Sequence, residues 1–312
     1  MPFKNITSPR RILDLGAEVR GAALLSNPSI VAMVSTNPVR LGFQPTSGSG
    51  GKNINISLPS AEEVAFISKD VAVVRSGDDV WALIDLAHTP KVEQVARDVR
   101  QLCMRPTGEV ALALGWDGSA SALTLAQNEV TARPFALRGT VRACDVGATE
   151  TVVVVDGADG GELRIHPGPT PEPGATHRAS LPREAAKLDR VRGGRDLSAL
   201  FKRGGSSVCI VTRGGAKLTA KMIDLGSAPI DLAVVETSLF ATFADGRVLL
   251  YDADSLARAE GGAPDVISTL NLGARGEPRV MIVAGKGTPT LWIGTSTGEM
   301  MQATAMRKAA SI

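Results

Sequence analysis

Short apolar strands separated by turn residues recur along this chain about every forty residues, with no comparably regular helical stretch between them. Seven such units can be counted from their central strands: Ile30–Val34, Val71–Val74, Val110–Leu114, Thr151–Val155, Val208–Val211, Leu239–Phe243 and Leu291–Ile293. One small sheet cannot bury both of its faces alone. Radial stacking of identical sheets solves that problem and leaves only short, protected edges. The period therefore predicts an all-β fold, a seven-bladed β-propeller of four-stranded antiparallel blades, as a single domain over residues 1–312.

Composition narrows the class of function. Aromatic residues make up only 4% of the 312 residues, with a single Tyr, so the interior must be built from Ala, Val and Leu. The net charge is +2 with both signs interspersed, so bulk electrostatics give no reason to expect a nucleic-acid partner. No apolar run reaches the roughly 18 residues that a membrane-spanning helix needs. The first residues, MPFKNITSPRRILDL, lack the apolar core of a secretory signal. Cys103, Cys144 and Cys209 are an odd, widely spaced set inside apolar strands, the pattern of small buried hydrophobes. Free thiols in a reducing, intracellular and cytoplasmic setting are the expectation.

The blades follow from turn chemistry. Asp117-Gly118 and Asp245-Gly246 each lie between apolar strands, where Gly supplies the positive φ of a tight hairpin. The pattern breaks at Pro167–Pro173, whose four prolines cannot form a ladder strand. The segment 167–195 reads as a loop insertion, and the fifth blade as resuming at Asp196 with Val208–Val211 and Lys217–Asp224. The seventh blade lacks an outer strand after Ala303. Arg11–Gly16 precedes the first blade and supplies one, so the ring is expected to close by pairing the N-terminal strand with the C-terminal blade.

Two resemblances carry functional expectations. Ala244–Asp252, ADGRVLLYD, resembles the Asp-Gly-x-Val-x-hydrophobic-aromatic-Asp segment of WD repeats, and Gly115-Trp116-Asp117-Gly118 echoes their turn. The chain thus looks like a divergent WD-repeat-type propeller, although no blade ends in Trp-Asp and Gly-His is absent. That resemblance implies a non-enzymatic scaffold for protein–protein interaction, a subunit of a larger intracellular assembly whose partners are other proteins. A narrower one concerns Arg190-Val191-Arg192-Gly193-Gly194-Arg195, which is similar to the Phe/Leu-Arg-Arg-Gly motif of autophagy-type phosphoinositide-binding propellers. It implies the alternative of a membrane-surface phosphoinositide contact through Arg190, Arg192 and Arg195. Val191 stands where the second adjacent arginine belongs.

Catalytic signals are sparse. His88, His166 and His177 share no metal-ligand spacing and read as solvated turn residues. No cofactor or metal is expected, and a metal-dependent propeller hydrolase or lyase is the least favoured alternative. The one recurring constellation is acidic: Glu18, Glu63, Asp98, Asp196 and Asp231 are each expected just before an inner strand, on a ring at the channel mouth. Val-Arg follows or recurs at Val19-Arg20, Val99-Arg100 and Val141-Arg142, which predicts the pairs Glu18–Arg20 and Asp98–Arg100. Such a collar either bridges neighbouring blades or receives a basic peptide.

Overall fold

A computed structural model describes residues 3–26, 29–46, 50–103, 110–135, 137, 139–147, 149–168, 174–194, 196–215, 217–259, 262–285 and 288–307. Its strands form seven antiparallel sheets in chain order. Blade one holds Val19–Ser26, Ser29–Ser35, Arg40–Pro45 and Lys52–Asn55, and blade two Glu63–Ser68, Val71–Ser76, Asp79–Ile84 and Lys91–Ala96. Blade three holds Val99–Cys103, Ala111–Gly115, Ala120–Ala126 and Glu129–Phe135. Blade four holds Val141–Val146, Glu150–Val155, Glu162–Pro167 and His177–Ser180. Blade five holds Arg190–Gly193, Leu197–Phe201, Ser207–Gly214 and Lys217–Asp224, and blade six Pro229–Val235, Ser238–Phe243, Arg247–Asp252 and Ser268–Asn271. Blade seven begins with Pro278–Ala284, Thr290–Thr295 and Glu299–Arg307. The first strand of every blade touches the first strand of the next, and blade seven touches blade one. These first strands line a central channel.

The core confirms the ring. Among the described residues it resolves into seven apolar clusters, one at each blade-to-blade interface. Middle strands are therefore buried on both faces. That is why VAVV at 71–74 and TVVVV at 151–155 read as unbroken apolar runs, where a one-sided sheet would alternate. Small residues let the blades approach. A Cβ on Gly21 would stand 2.8 Å from Glu63 Cα of the next blade, and one on Gly294 would stand 2.3 Å from a methyl of Val19 across the closing interface.

Closure occurs as the sequence predicts and extends further. Arg10–Asp14 pairs with residues 299–302 of the last strand, and Phe3–Ile6 pairs with residues 305–307 of the same strand. The bridge between the two segments is Thr7, whose N–H donates to the Thr304 carbonyl at 2.8 Å. Phe3 and Ile6 enter the interface of blades six and seven, with Phe3 lying 6.2 Å from Phe240. Leu15 enters that of blades seven and one, alongside Ile12 and Leu13.

Three expectations are corrected. The segment 167–195 is not a single loop, because it contains the outer strand of blade four, a 3-10 turn at Arg183–Lys187 and the innermost strand of blade five. Val208–Val211 accordingly lies in the third strand of blade five, and Leu197–Phe201 is the second. Cys103 and Cys144, on the innermost strands of blades three and four, form a disulfide with Cα atoms 6.3 Å apart. Their neighbourhood arises only when two blades stack, and it removes the support that unpaired cysteines lent to a reducing compartment. Cys209 is the remaining thiol, and burial pushes it up to about 12, so it stays protonated as a packing residue. Finally, His166 is a buried strand residue, in contrast to the exposed His88 that contacts Asp85 at 2.8 Å. No described helix is long and apolar enough to cross a membrane.

Candidate binding face and central channel

The chain enters each innermost strand on one face of the ring, here called the upper face, which also carries the turns between second and third strands. A shared device shapes it. Five innermost strands bulge at the same place, between Val19 and Gly21, Val99 and Gln101, Val141 and Ala143, Pro229 and Asp231, and Pro278 and Val280. A bulge leaves one residue out of the ladder and re-aims its side chain. In four of these blades that residue is an arginine: Arg20, Arg100, Arg142 and Arg279. The Val-Arg repeats seen in the sequence are thus bulge arginines, and Pro278-Arg279 is a fourth member with proline in place of valine.

These arginines stitch blades together. Arg100 donates to the Gly115 carbonyl at 2.9 Å and to the Val141 and Arg142 carbonyls of blade four at 2.7 and 2.8 Å. Arg142 donates to Asp156 at 2.9 Å, to the Gly160 carbonyl at 2.7 Å and to the Ala186 carbonyl, on the approach to blade five, at 3.3 Å. Glu18 receives Arg20 at 2.7 Å and Arg279 of blade seven at 2.6 Å. The predicted Glu18–Arg20 pair is present. Arg100 is taken up by carbonyl oxygens, and the predicted Asp98–Arg100 pair does not form.

The five acidic residues do not share one ring. Glu18 and Asp98 do stand just before their strands on the upper face. Glu63 and Asp231 occupy a deeper position, inside the channel wall. Asp196 lies in the turn between the first two strands of blade five, on the opposite face, where it meets Arg213 at 4.0 Å. It was misplaced because the true innermost strand, Arg190–Gly193, reads as a polar segment. Arg195 lies outside the described residues.

Inside the channel the charges are paired. Glu63 of blade two binds Arg75 at 2.9 Å and, across the channel, Arg190 of blade five at 3.3 Å. Burial would raise the Glu63 pKa, but these two guanidiniums and the Leu102 N–H outweigh it and hold the carboxyl below its usual value. Arg192 lies between Asp231, at 3.6 Å, and Asp145, at 3.8 Å. For Asp145 burial dominates and raises the pKa despite Arg192. Each of the three carboxylates also accepts a backbone N–H from the next blade's innermost strand: Glu63 from Leu102 at 2.6 Å, Asp145 from Gly193 at 2.8 Å, and Asp231 from Met281 at 3.0 Å. Innermost strands are sheet edges with unpaired donors, and these carboxylates satisfy them. Arg190 and Arg192 therefore lie in an innermost strand, bound to channel carboxylates, and are not the free arginines that a headgroup-gripping motif needs. Below them a cavity of about 190 Å³ is walled by Leu24, Val146, Leu232 and Ile282. Among the described residues no three His, Cys, Asp or Glu side chains are placed to share a metal.

One aromatic residue that the sequence reading treated only as part of a turn dominates the upper surface. Trp116 of blade three is 66% exposed. Its indole N–H donates to Asp78 at 3.1 Å, and its backbone N–H to the Asp98 carbonyl at 3.1 Å, so the ring is held in place. A groove of about 460 Å³ runs beside it, lined in part by Asp98, Asp117, Ser119 and Ser121.

Ring closure, channel and bulged rim define a seven-bladed β-propeller. Superposition on solved structures agrees. The chain aligns over 98% of its length with the crystal structure of the N-terminal domain of Nup159, covering 97% of that chain at 13% identity and a TM-score of 0.61. It aligns equally well with Nup159 in a complex of S. cerevisiae Dbp5 bound to Nup159, Gle1, IP6 and ADP, covering 96% of that chain at the same identity and TM-score. At this identity the likeness defines the fold alone. No protein-family model matches the chain, and no curated protein matches it.

Proposed function

We propose that this propeller is a non-enzymatic interaction module, a subunit of a larger protein assembly, which receives a partner segment on its upper face beside Trp116. The observation that carries this reading is the exposed but hydrogen-bonded indole. Aromatic side chains fixed beforehand lose little entropy on binding and serve as anchors. Asp78, Asp98 and Asp117 surround it, so a segment bearing Lys or Arg fits by charge and by cation–π contact with the ring. Glu18 belongs to the same face, but its carboxylate is engaged by Arg20 and Arg279. Glu63, Asp145 and Asp231 in the channel are each engaged by an arginine and by a backbone N–H, which supports a structural use of these carboxylates and a binding role over catalysis. The Nup159 propeller bound within a multiprotein complex is in keeping with such a role.

Affinity capture from the native source, run in parallel with Trp116→Ala and Asp98→Arg, tests the reading. A stable complex should be recovered with the native chain and lost with both variants. Equal recovery with Trp116→Ala would sink it.

A further inference from the structure

A second feature of the upper face lies across the mouth from Trp116. Arg20 of blade one, Arg279 of blade seven and Arg203 of blade five border a depression of about 350 Å³, floored by Pro229, Ile230 and Ala244 of blade six. Among the described residues no carboxylate lines it. Arg20 and Arg279 share the single carboxylate of Glu18, with Glu277 adding one contact to Arg279 at 3.2 Å. Arg203 sits on the turn after Leu197–Phe201 and makes no hydrogen bond or ion pair with any described residue. Its pKa is pulled below the usual arginine value, first by desolvation and then by the positive charge of Arg190, against the opposing pull of the Asp231 and Glu63 carboxylates. Three arginines that line one depression, with Arg203 outside ion-pair distance of any described carboxylate, offer an added anion charge-assisted contacts.

We propose that this depression binds the phosphate group of a phosphorylated side chain on a partner protein. Arginines from three blades line the depression. A phosphate monoester offers three acceptor oxygens and a charge near −2, whereas a carboxylate offers two oxygens and a single charge. Arg203 supplies the charge that the Glu18 cluster does not neutralise, and the apolar floor accepts the residue flanking the phosphate. A protein segment fits better than a lipid surface. Among the described residues the exposed large apolar side chains are Trp116, Leu125, Val266 and Met306, and none of these borders this depression to insert into a bilayer. This site is independent of Trp116 and does not rest on the groove beside it.

The test uses O-phosphoserine as probe, titrated into the full chain and followed by phosphorus NMR. Binding should be saturable, and Arg203→Gln should weaken it by about tenfold or more, the worth of one charge-assisted contact. Arg203→Gln is expected to melt with the native chain, because Arg203 holds nothing in place. Arg213→Gln on the lower face should bind as the native chain does. No binding by the native chain, unchanged binding by Arg203→Gln, or an equal loss in Arg213→Gln would each overturn the proposal. A parallel sedimentation with phosphatidylcholine vesicles containing a phosphatidylinositol phosphate separates the sources. Arg203-dependent vesicle binding would replace the protein segment with a lipid and reject the partner named here.

Discussion

The carboxylate of Asp231 accepts the backbone N–H of Met281 at 3.0 Å across the boundary between blades six and seven. Glu63 does the same for Leu102, and Asp145 for Gly193, so an acidic residue on one innermost strand satisfies the free edge of the next. The acidic repeat is to this extent a structural device. Its removal has a calculable cost.

Asp231 is 1% exposed and lies 3.6 Å from Arg192. Asp231→Ala leaves a buried donor and a half-paired guanidinium, and should lower the unfolding free energy by about 3 kcal/mol. Asp231→Asn keeps an acceptor for Met281 and should cost less. Urea unfolding of the two variants would check the order, and equal losses would show that the hydrogen bond contributes nothing.

The lowered Glu63 pKa makes stability depend on pH with a definite sign. In the unfolded chain Glu63 titrates at its ordinary value, so the unfolded state binds the proton more readily. The contribution is complete above the ordinary glutamate pKa and is lost as pH falls through the lower, folded-state value. Glu63→Gln should therefore flatten the acid side of the stability profile while being less stable at neutral pH. Parallel acid limbs in the two proteins would contradict the pairing with Arg75 and Arg190.

Ring closure depends on the N-terminal segment, which supplies Phe3, Ile6 and Leu15 to two interfaces. Deleting residues 3–16 bares the outer edge of blade seven and should destabilise the whole ring. Limited proteolysis and thermal melting would report it, and a neutral deletion would exclude closure by this strand.

Gly21 has no need of a special backbone conformation; it is required for space. Gly21→Val would drive a side chain into the Glu62–Val64 backbone of blade two, at a cost of about 1–3 kcal/mol. A melt unchanged from the native chain would mean the innermost strands of these blades do not touch.

The Cys103–Cys144 disulfide closes a loop of sequence separation 41. The chain-entropy relation puts its effect on the unfolded state at about 4 kcal/mol. Peptide mapping without reduction should recover the linked pair, and Cys103→Ser with Cys144→Ser should unfold at lower denaturant. Recovery of free thiols only would remove the bond.

Much of this was legible from residues alone. The middle strands are buried on both faces, so their sequences are continuously apolar and their seven-fold recurrence is plain. The closing strand was legible too, since Ile12, Leu13 and Leu15 carry the same apolar signal. Blade five was missed at its innermost strand because Arg190 and Arg192 face a polar channel, where the alternation that marks a strand has polar residues at the lining positions. For the same reason Asp196 took the place that belongs inside the channel wall.

What the sequence determined by itself is the local repeat, because burial on both faces of a strand is written in consecutive side chains. Only the tertiary structure decided which charges meet. Arg190 and Glu63 are 127 residues apart, Cys103 and Cys144 are joined by the stacking of two blades, and Arg203 comes to share one depression with Arg20 and Arg279. Pairing across a channel depends on the curvature of the closed ring, and that curvature is the sum of seven interfaces that no single segment encodes.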